Sequence, residues 1–436
     1  MRGTSAGTVR PWTWVPTLYL AQGLPYAVVM LLSVVLYKRL GISNADIALY
    51  TSWLHLPWVI KPLWAPIIDL AGHLRRWVWG LQGLMAAVLA SMPLALASEQ
   101  FFAYSLSALW LLAFASATHD AAADGLYIES LDAREQAAFV GIRNAFWRAG
   151  MLFGQGGLVL LGGTLEGWRL SVVQAWSVVF VVVAMACAVL AGHHAWRLPN
   201  AAAPHGASSE PTSRQWRAVL STAGRYVADF FRRDDIACVL AFLLLYRFGE
   251  AQLLKLVVPF LMDTQAAGGL GLSTRSVGVL YGGIGVACLL AGGVLGGWAI
   301  ARAGLRRMMW PMVALTHLPN LLFVALALAQ PGSTTVIAAA LAFEQFGYGF
   351  GFTAYTVYTL RVAAGAGTAA ECPRPTSHYA LCTGLMALGM MLPGLWSGAL
   401  QAALGYVGFF AWVCAASLVS VVVVAWCMRR QRWLAE

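Results

Sequence analysis

Charge is scarce in this sequence. Asp, Glu, Lys and Arg make up 11% of its 436 residues, where soluble domains carry about 25%. A soluble core of this size could not hide the 60% of residues that are hydrophobic, so the composition excludes an ordinary soluble enzyme and points to a polytopic membrane protein. Acids are scarcer than bases, 18 Asp and Glu against 28 Lys and Arg. In a soluble protein that balance would suggest nucleic acid; here it reads as basic loops on one membrane face, and no nucleic-acid partner is expected. The seven cysteines lack metal-ligand spacing, and six lie within or beside apolar runs, which excludes a disulfide framework and any metal site built on them. No cofactor is expected. A cleavable signal is not expected either, because the first apolar run is too long and lacks a clear small-residue cleavage site.

What the chain does have is long apolar runs. Twelve can be drawn at the length that crosses about 30 Å of hydrocarbon: Pro11–Tyr37, Asp46–Ile68, Trp77–Leu96, Phe101–Ile128, Ala138–Gly162, Leu170–Ala191, Ile236–Leu261, Ser276–Ile300, Met308–Ala329, Thr334–Val362, His378–Ala403 and Tyr406–Cys427. The termini and the loops on their side carry 19 Lys and Arg, against four in the opposite loops. The positive-inside bias therefore places both termini in the cytoplasm. The expected fold is an all-α membrane protein of twelve transmembrane helices in two pseudo-symmetric six-helix halves. Residues 1–192 form the first half, 193–235 a cytoplasmic linker, and 236–436 the second half. A turn of sequence Ala71-Gly72-His73-Leu74-Arg75-Arg76 after the second span recurs as Ala303-Gly304-Leu305-Arg306-Arg307 after the eighth, which supports internal duplication. Within the linker, Leu198–Arg214 reads as flexible and Gln215–Arg233 as a basic amphipathic helix on the inner leaflet. The seven glycines of span eight from Gly282 to Gly297 read as close helix packing, since a nucleotide-binding motif would need a preceding strand.

Charges inside the spans carry the functional signal, because an ionisable group in a membrane usually faces a bundle interior or a water-filled path. Span four ends in His119-Asp120-Ala121-Ala122-Ala123-Asp124-Gly125-Leu126-Tyr127. Asp120 and Asp124, four apart, share one helical face, and Tyr127 continues it. Either they form a structural ion pair near the surface, or they line a transport pathway. Lys61, in the proline-rich second span, either snorkels to the interface or pairs with one of the two. Span seven carries Arg247, Glu250 and Lys255; span ten carries Glu344, Gln345 and Tyr348; span five carries Arg143 and Arg148. Span one contributes Gln22 and Tyr26 beside Gly23 and Pro25, where a loosened helix or a plain kink is expected. His378 is expected as a surface histidine. If each half is two three-helix units, spans one, four, seven and ten are equivalent, and every intramembrane acid falls on one of the last three. A cavity lined by those helices explains that concentration, which points to a secondary transporter with alternating access.

The duplicated halves and basic turns resemble the major facilitator superfamily. Within it, four segments resemble AmpG-type muropeptide permeases and their acetyl-CoA transporter relatives: Gly23-Leu24-Pro25, Lys61 with Leu63-Trp64-Ala65-Pro66 and Asp69, Ala117 with Asp120 and Asp124, and Leu245-Tyr246-Arg247 with Gly249-Glu250. Glu344, Gly347, Gly349 and Gly351 of span ten, with Ala380-Leu381, fit as well. Arg247 and Glu250 stand where that family leads us to expect Lys and Asp. The resemblance implies import of cell-wall fragments with the proton gradient across a bacterial inner membrane, membrane lipids being the surroundings.

The expected function is therefore proton-coupled import of an amphipathic, anionic solute such as an anhydro-muropeptide. The alternatives are a siderophore importer of the same superfamily and, from another class, a membrane-embedded enzyme, for which His119 with Asp120 and Asp124 is the one candidate set and no nucleophile stands nearby. The expected substrate-contacting residues are Gln22, Tyr26, Asp120, Asp124, Tyr127, Arg143, Arg148, Arg247, Gln345 and Tyr348. Glu344, Glu250, Asp120 and Asp124 are expected to handle protons. Glu344 ranks first, because Glu250 has Arg247 three residues away while Glu344 has only Gln345 and aromatics beside it.

Overall fold

A computed structural model describes residues 10–65, 68, 73–168, 170–199, 224, 227–365 and 375–435. Residues 200–214 of the linker, most of the Gln215–Arg233 segment and residues 69–72 of the first basic turn lie outside the described residues. Among the described residues the chain is helical, with no strand. In chain order the helices are α1 (Val15–Ala27), α2 (Ser33–Arg39), α3 (Asn44–Trp53), α4 (Leu56–Ile60), α5 (Leu74–Leu96), α6 (Phe101–Ser130), α7 (Ala133–Leu152), α8 (Leu158–Gly167) and α9 (Val172–Arg197). They continue as α10 (Ile236–Leu245), α11 (Phe248–Met262), α12 (Thr274–Val277), α13 (Val286–Ala303), α14 (Leu305–His317), α15 (Asn320–Ala329), α16 (Thr334–Ala363), α17 (Pro375–Leu395) and α18 (Ser397–Arg430).

Nine helical stretches among the described residues are long and apolar enough to cross a membrane. The other expected spans, the second, fifth and tenth, are occupied by α3–α4, α7–α8 and α16.

The breaks within spans have local causes. Pro25 cannot donate to the helix ladder, and three residues on the chain passes through a π-turn at Val28–Leu32 before α2. Gly23 serves a close crossing: a Cβ there would lie 2.2 Å from the Trp147 carbonyl oxygen of α7, and one at Gly150 would lie 2.6 Å from that of Leu20. Span seven breaks at Tyr246 and Arg247, where Arg247 takes φ −104° and ψ 17°. The hydroxyl of Ser420 in α18 donates to the Tyr246 carbonyl freed there, at 2.6 Å.

The chain forms two compact units. The first draws on Met1–Leu32, Ile60–Leu158 and Leu165–Thr222; the second draws on Ser33–Val59, Val159–Thr164 and Ala223–Glu436. The core of the first gathers Trp14, Leu18, Tyr19, Val78, Leu126 and Tyr127. That of the second gathers Phe242, Tyr246, Met309, Tyr355, Tyr358 and Val424, with Phe242 stacked on Tyr358 at 3.7 Å between ring centroids. In the second unit, the α2–α3 hairpin packs against α11, α17 and α18.

The two basic turns both enter the next helix at positive φ, but at different ψ, 41° at His73 and 154° at Gly304. Gly304 and His73 each cap the following helix at positive φ, 79° and 54°, directly before Leu-Arg-Arg. Glycine adopts that region freely, whereas a residue with a Cβ pays about 1–2 kcal/mol. His73→Gly is therefore expected to stabilise the protein by about 1 kcal/mol, read as a raised thermal midpoint in detergent; an unchanged or lowered midpoint would contradict it.

Candidate functional site

In the first unit, α6 runs unbroken past both acids, so Asp120 and Asp124 do share a face, but they engage different cations. Lys61 sits in the short turn that follows α4, held by Pro62, and its ammonium is 4.0 Å from Asp120 Oδ2. Arg143 of α7 approaches Asp124 Oδ1 at 3.2 Å, and the Tyr19 hydroxyl of α1 donates to the same oxygen at 2.9 Å. The guanidinium also lies over the rings of Tyr19 and Tyr127, 4.6 and 5.1 Å from their centroids. Tyr127 spends its hydroxyl on the Gln136 carbonyl at 2.6 Å, so it serves this cluster by its ring face. Lys61 and Asp120 are mostly buried, at 16% and 13% of their side chains, whereas the Arg143–Asp124 pair keeps partial exposure, at 24% and 35%. Pairs of that kind contribute about 1 kcal/mol or less to stability. For that pair, fold stability gives little reason to keep it.

Gln22 and Tyr26 lie on the α1 face that also bears Tyr19. Gln22 is buried, and its Oε1 has no hydrogen-bond partner; Tyr26 packs beside Trp147 at 5.8 Å. Arg148 is half-buried on α7. His119 turns away from the acids: its Nε2 meets Gln82 Nε2 at 2.8 Å, Gln82 Oε1 meets His194 Nδ1 at 2.8 Å, and His194 Nε2 meets Thr17 at 3.0 Å. That chain ties α1, α5, α6 and α9 together.

In the second unit, Arg247 faces Glu250 across the break in span seven. Its Nε donates to both carboxylate oxygens, at 3.2 and 3.1 Å, and its terminal nitrogen reaches Glu250 and the Tyr348 hydroxyl, the latter at 2.8 Å. The side chains are 9% and 5% exposed. Glu344, one turn away from Tyr348 on α16, is buried and accepts 2.9 Å from Gln345 Nε2. Among the described residues no basic side chain lies within ion-pair distance of it, and Glu250 is within electrostatic reach.

Three features were not among the expected site residues. Tyr19 could have been found, since it stands seven residues before Tyr26 on the same helical stripe. The other two join residues far apart in the chain: Lys255 with Thr51, and a polar cluster where α2–α3 meets α11 and α18. In that cluster Lys38 pairs with Asp263 at 2.5 Å, and Asn44 and Tyr406 also reach the same carboxylate, at 3.1 and 2.5 Å. His378 differs from expectation, being only 8% exposed with its ring edge-on to Phe230. Span eleven begins earlier than the sequence suggested, at Pro375, which draws the histidine into the packed part of the helix.

Burial pushes the Asp263 carboxyl up, but the hydrogen bonds from Lys38, Tyr406 and Asn44 outweigh it and hold it below the ordinary range. A carboxyl so depressed contributes stability that is present above the unfolded value, about 3.9, and is lost as pH falls through the folded value. Lys38→Met removes the largest of those bonds. The thermal midpoint of the variant is expected to lie below that of the parent at neutral pH and to converge on it as pH falls through the folded value, because the variant has less of this stability to lose; a gap that stays constant with pH would contradict this.

A family model described as Major Facilitator Superfamily matches residues 17–370. The anhydromuropeptide permease of Escherichia coli K12 is 24% identical over 414 residues, which span 93% of this chain and 77% of the permease. Among solved structures, a POT family transporter in complex with 5-aminolevulinic acid superposes with a TM-score of 0.71 at 13% identity, over 99% of this chain and 98% of that one. A bacterial homolog of the lysosomal transporter Spinster, inward-facing and occupied, gives 0.68 at 16% identity over 98% of each chain. The chain belongs to the Major Facilitator Superfamily of membrane transporters.

Proposed function

We propose that this chain is a proton-coupled secondary transporter that imports an amphipathic, anionic solute such as an anhydro-muropeptide. Its setting in this reading is a bacterial inner membrane, with both termini in the cytoplasm. The observation that carries the coupling is Glu344, a carboxyl 3% exposed in a helix of a membrane bundle, which among the described residues accepts from the Gln345 amide and has no cation within ion-pair distance. A buried acid in that position is costly, and binding a proton relieves the cost. The similarity to a permease named for anhydro-muropeptides, along 93% of the chain, supports the substrate class. Solute charge would be met by Arg247, Arg143 and Arg148, since a guanidinium can hold a carboxylate through two parallel hydrogen bonds. Asp120, Asp124, Gln22, Tyr26, Tyr127, Gln345 and Tyr348 would line the route, and Glu250 would serve as the second proton group.

The test is uptake of labelled anhydro-muropeptide into proteoliposomes under an inward proton gradient, with a ferric siderophore as comparator. Accumulation of the muropeptide alone supports the reading. Accumulation of the siderophore alone moves the protein to the other substrate class, and accumulation of neither overturns import of both.

A further inference from the structure

Lys255 is 5% exposed in α11, and its ammonium hydrogen-bonds Thr51 Oγ1 of α3 at 3.2 Å. Among the described residues no carboxylate lies within ion-pair distance of it. Glu250, five residues earlier, is engaged by Arg247. The remaining neighbours are neutral or basic. Ser52 Oγ is fully buried without a partner. His55 is buried within electrostatic reach of both Lys255 and Arg247. Gly394 of α17 closes the other side: a Cβ there would lie 3.2 Å from Lys255 Cε and 2.4 Å from Ser52 Oγ. Thus α3, α11 and α17 enclose an ammonium, two hydroxyls and an imidazole, with no negative charge among them.

Stability does not account for this. A buried cation whose one contact is a neutral hydroxyl is less favourable than an apolar side chain of the same volume. Charged groups kept inside membrane bundles pair with one another or mark the path of a solute. The donors present suit a carboxylate, which accepts hydrogen bonds at two oxygens and supplies the missing charge. We infer that Lys255, Thr51, Ser52 and His55 form a subsite for a carboxylate of the transported solute, reached as α3 moves off α11. The inference rests on the reading of this chain as an importer of an anionic solute and narrows the anion to one chemistry.

Two probes test it in reconstituted protein: anhydro-muropeptide with free stem-peptide carboxylates, and the same molecule with those groups converted to amides. Lys255→Met should keep or raise the thermal midpoint, raise KM for the free acid by about tenfold or more, and leave KM for the amide unchanged. An equal rise for both probes, no rise for the acid, or a lowered midpoint overturns the inference. A binding measurement that needs no transport accompanies it: thermal stabilisation of the detergent-solubilised protein by N-acetyl amino acids against their amides. Stabilisation by the acids alone, lost in Lys255→Met, supports the subsite; equal or absent stabilisation overturns it. If the parent protein takes up no muropeptide, the import reading falls and this arm still decides the subsite. If acid and amide enter equally well, the import reading stands and the subsite falls.

Discussion

Glu344→Gln is expected to abolish gradient-driven accumulation of solute while leaving solute counterflow intact. The carboxyl is buried, touches Gln345, and has no cation within ion-pair distance among the described residues. Its protonated and ionised forms therefore differ steeply in how well α16 tolerates them. A group like that can tie proton binding to a change of conformation, because each state favours one form. Glutamine imitates the protonated acid in shape and hydrogen bonding but cannot release a proton. The variant should then exchange solute across the membrane at a near-parental rate and accumulate none against its gradient. Persistent accumulation would transfer the coupling role to Glu250, and loss of counterflow as well would mark Glu344 as part of the binding site.

Glu250→Gln is expected to destabilise the protein by about 3–5 kcal/mol, the range measured when one partner of a buried ion pair is removed. Arg247 directs three of its donor contacts at this carboxylate, and both side chains are nearly excluded from solvent. Glutamine can accept one of those bonds, but it leaves the guanidinium without a counter-charge. Tyr348, at 2.8 Å, supplies a neutral oxygen that does not compensate it. The comparison is Arg232→Ala. Its pair with Asp229 spans 3.8 Å with both side chains more than half exposed, and its loss should cost below about 1 kcal/mol. Thermal midpoints in one detergent measure both; equal shifts would contradict the difference in burial.

The sequence made the apolar runs and the acids within them legible, because both depend on residue type and local spacing. Asp120 and Asp124 share a face as their four-residue spacing requires, and Arg247 meets Glu250 at three. The pairing of Lys61 with Asp120, left open by the sequence, is settled by the turn at Pro62 that ends α4. Other features were not legible because they depend on partners far along the chain. The break before Phe248 has no proline to announce it, and the carbonyl freed there is met by Ser420 of α18. Nothing near Lys255 announces Thr51, 204 residues away, and nothing near Asn44 announces Asp263. The π-turns at Phe153–Gly157 and Gly278–Gly285 likewise fall within spans that read as regular helix.

Proton movement coupled to solute entry is the core of the account, and one measurement addresses it directly. Proteoliposomes containing the parent protein and an internal pH dye, with no imposed gradient, are mixed with anhydro-muropeptide. The account predicts acidification of the lumen that tracks solute entry, disappears with a protonophore, and is absent in Glu344→Gln. Solute entry with no change in luminal pH would contradict it.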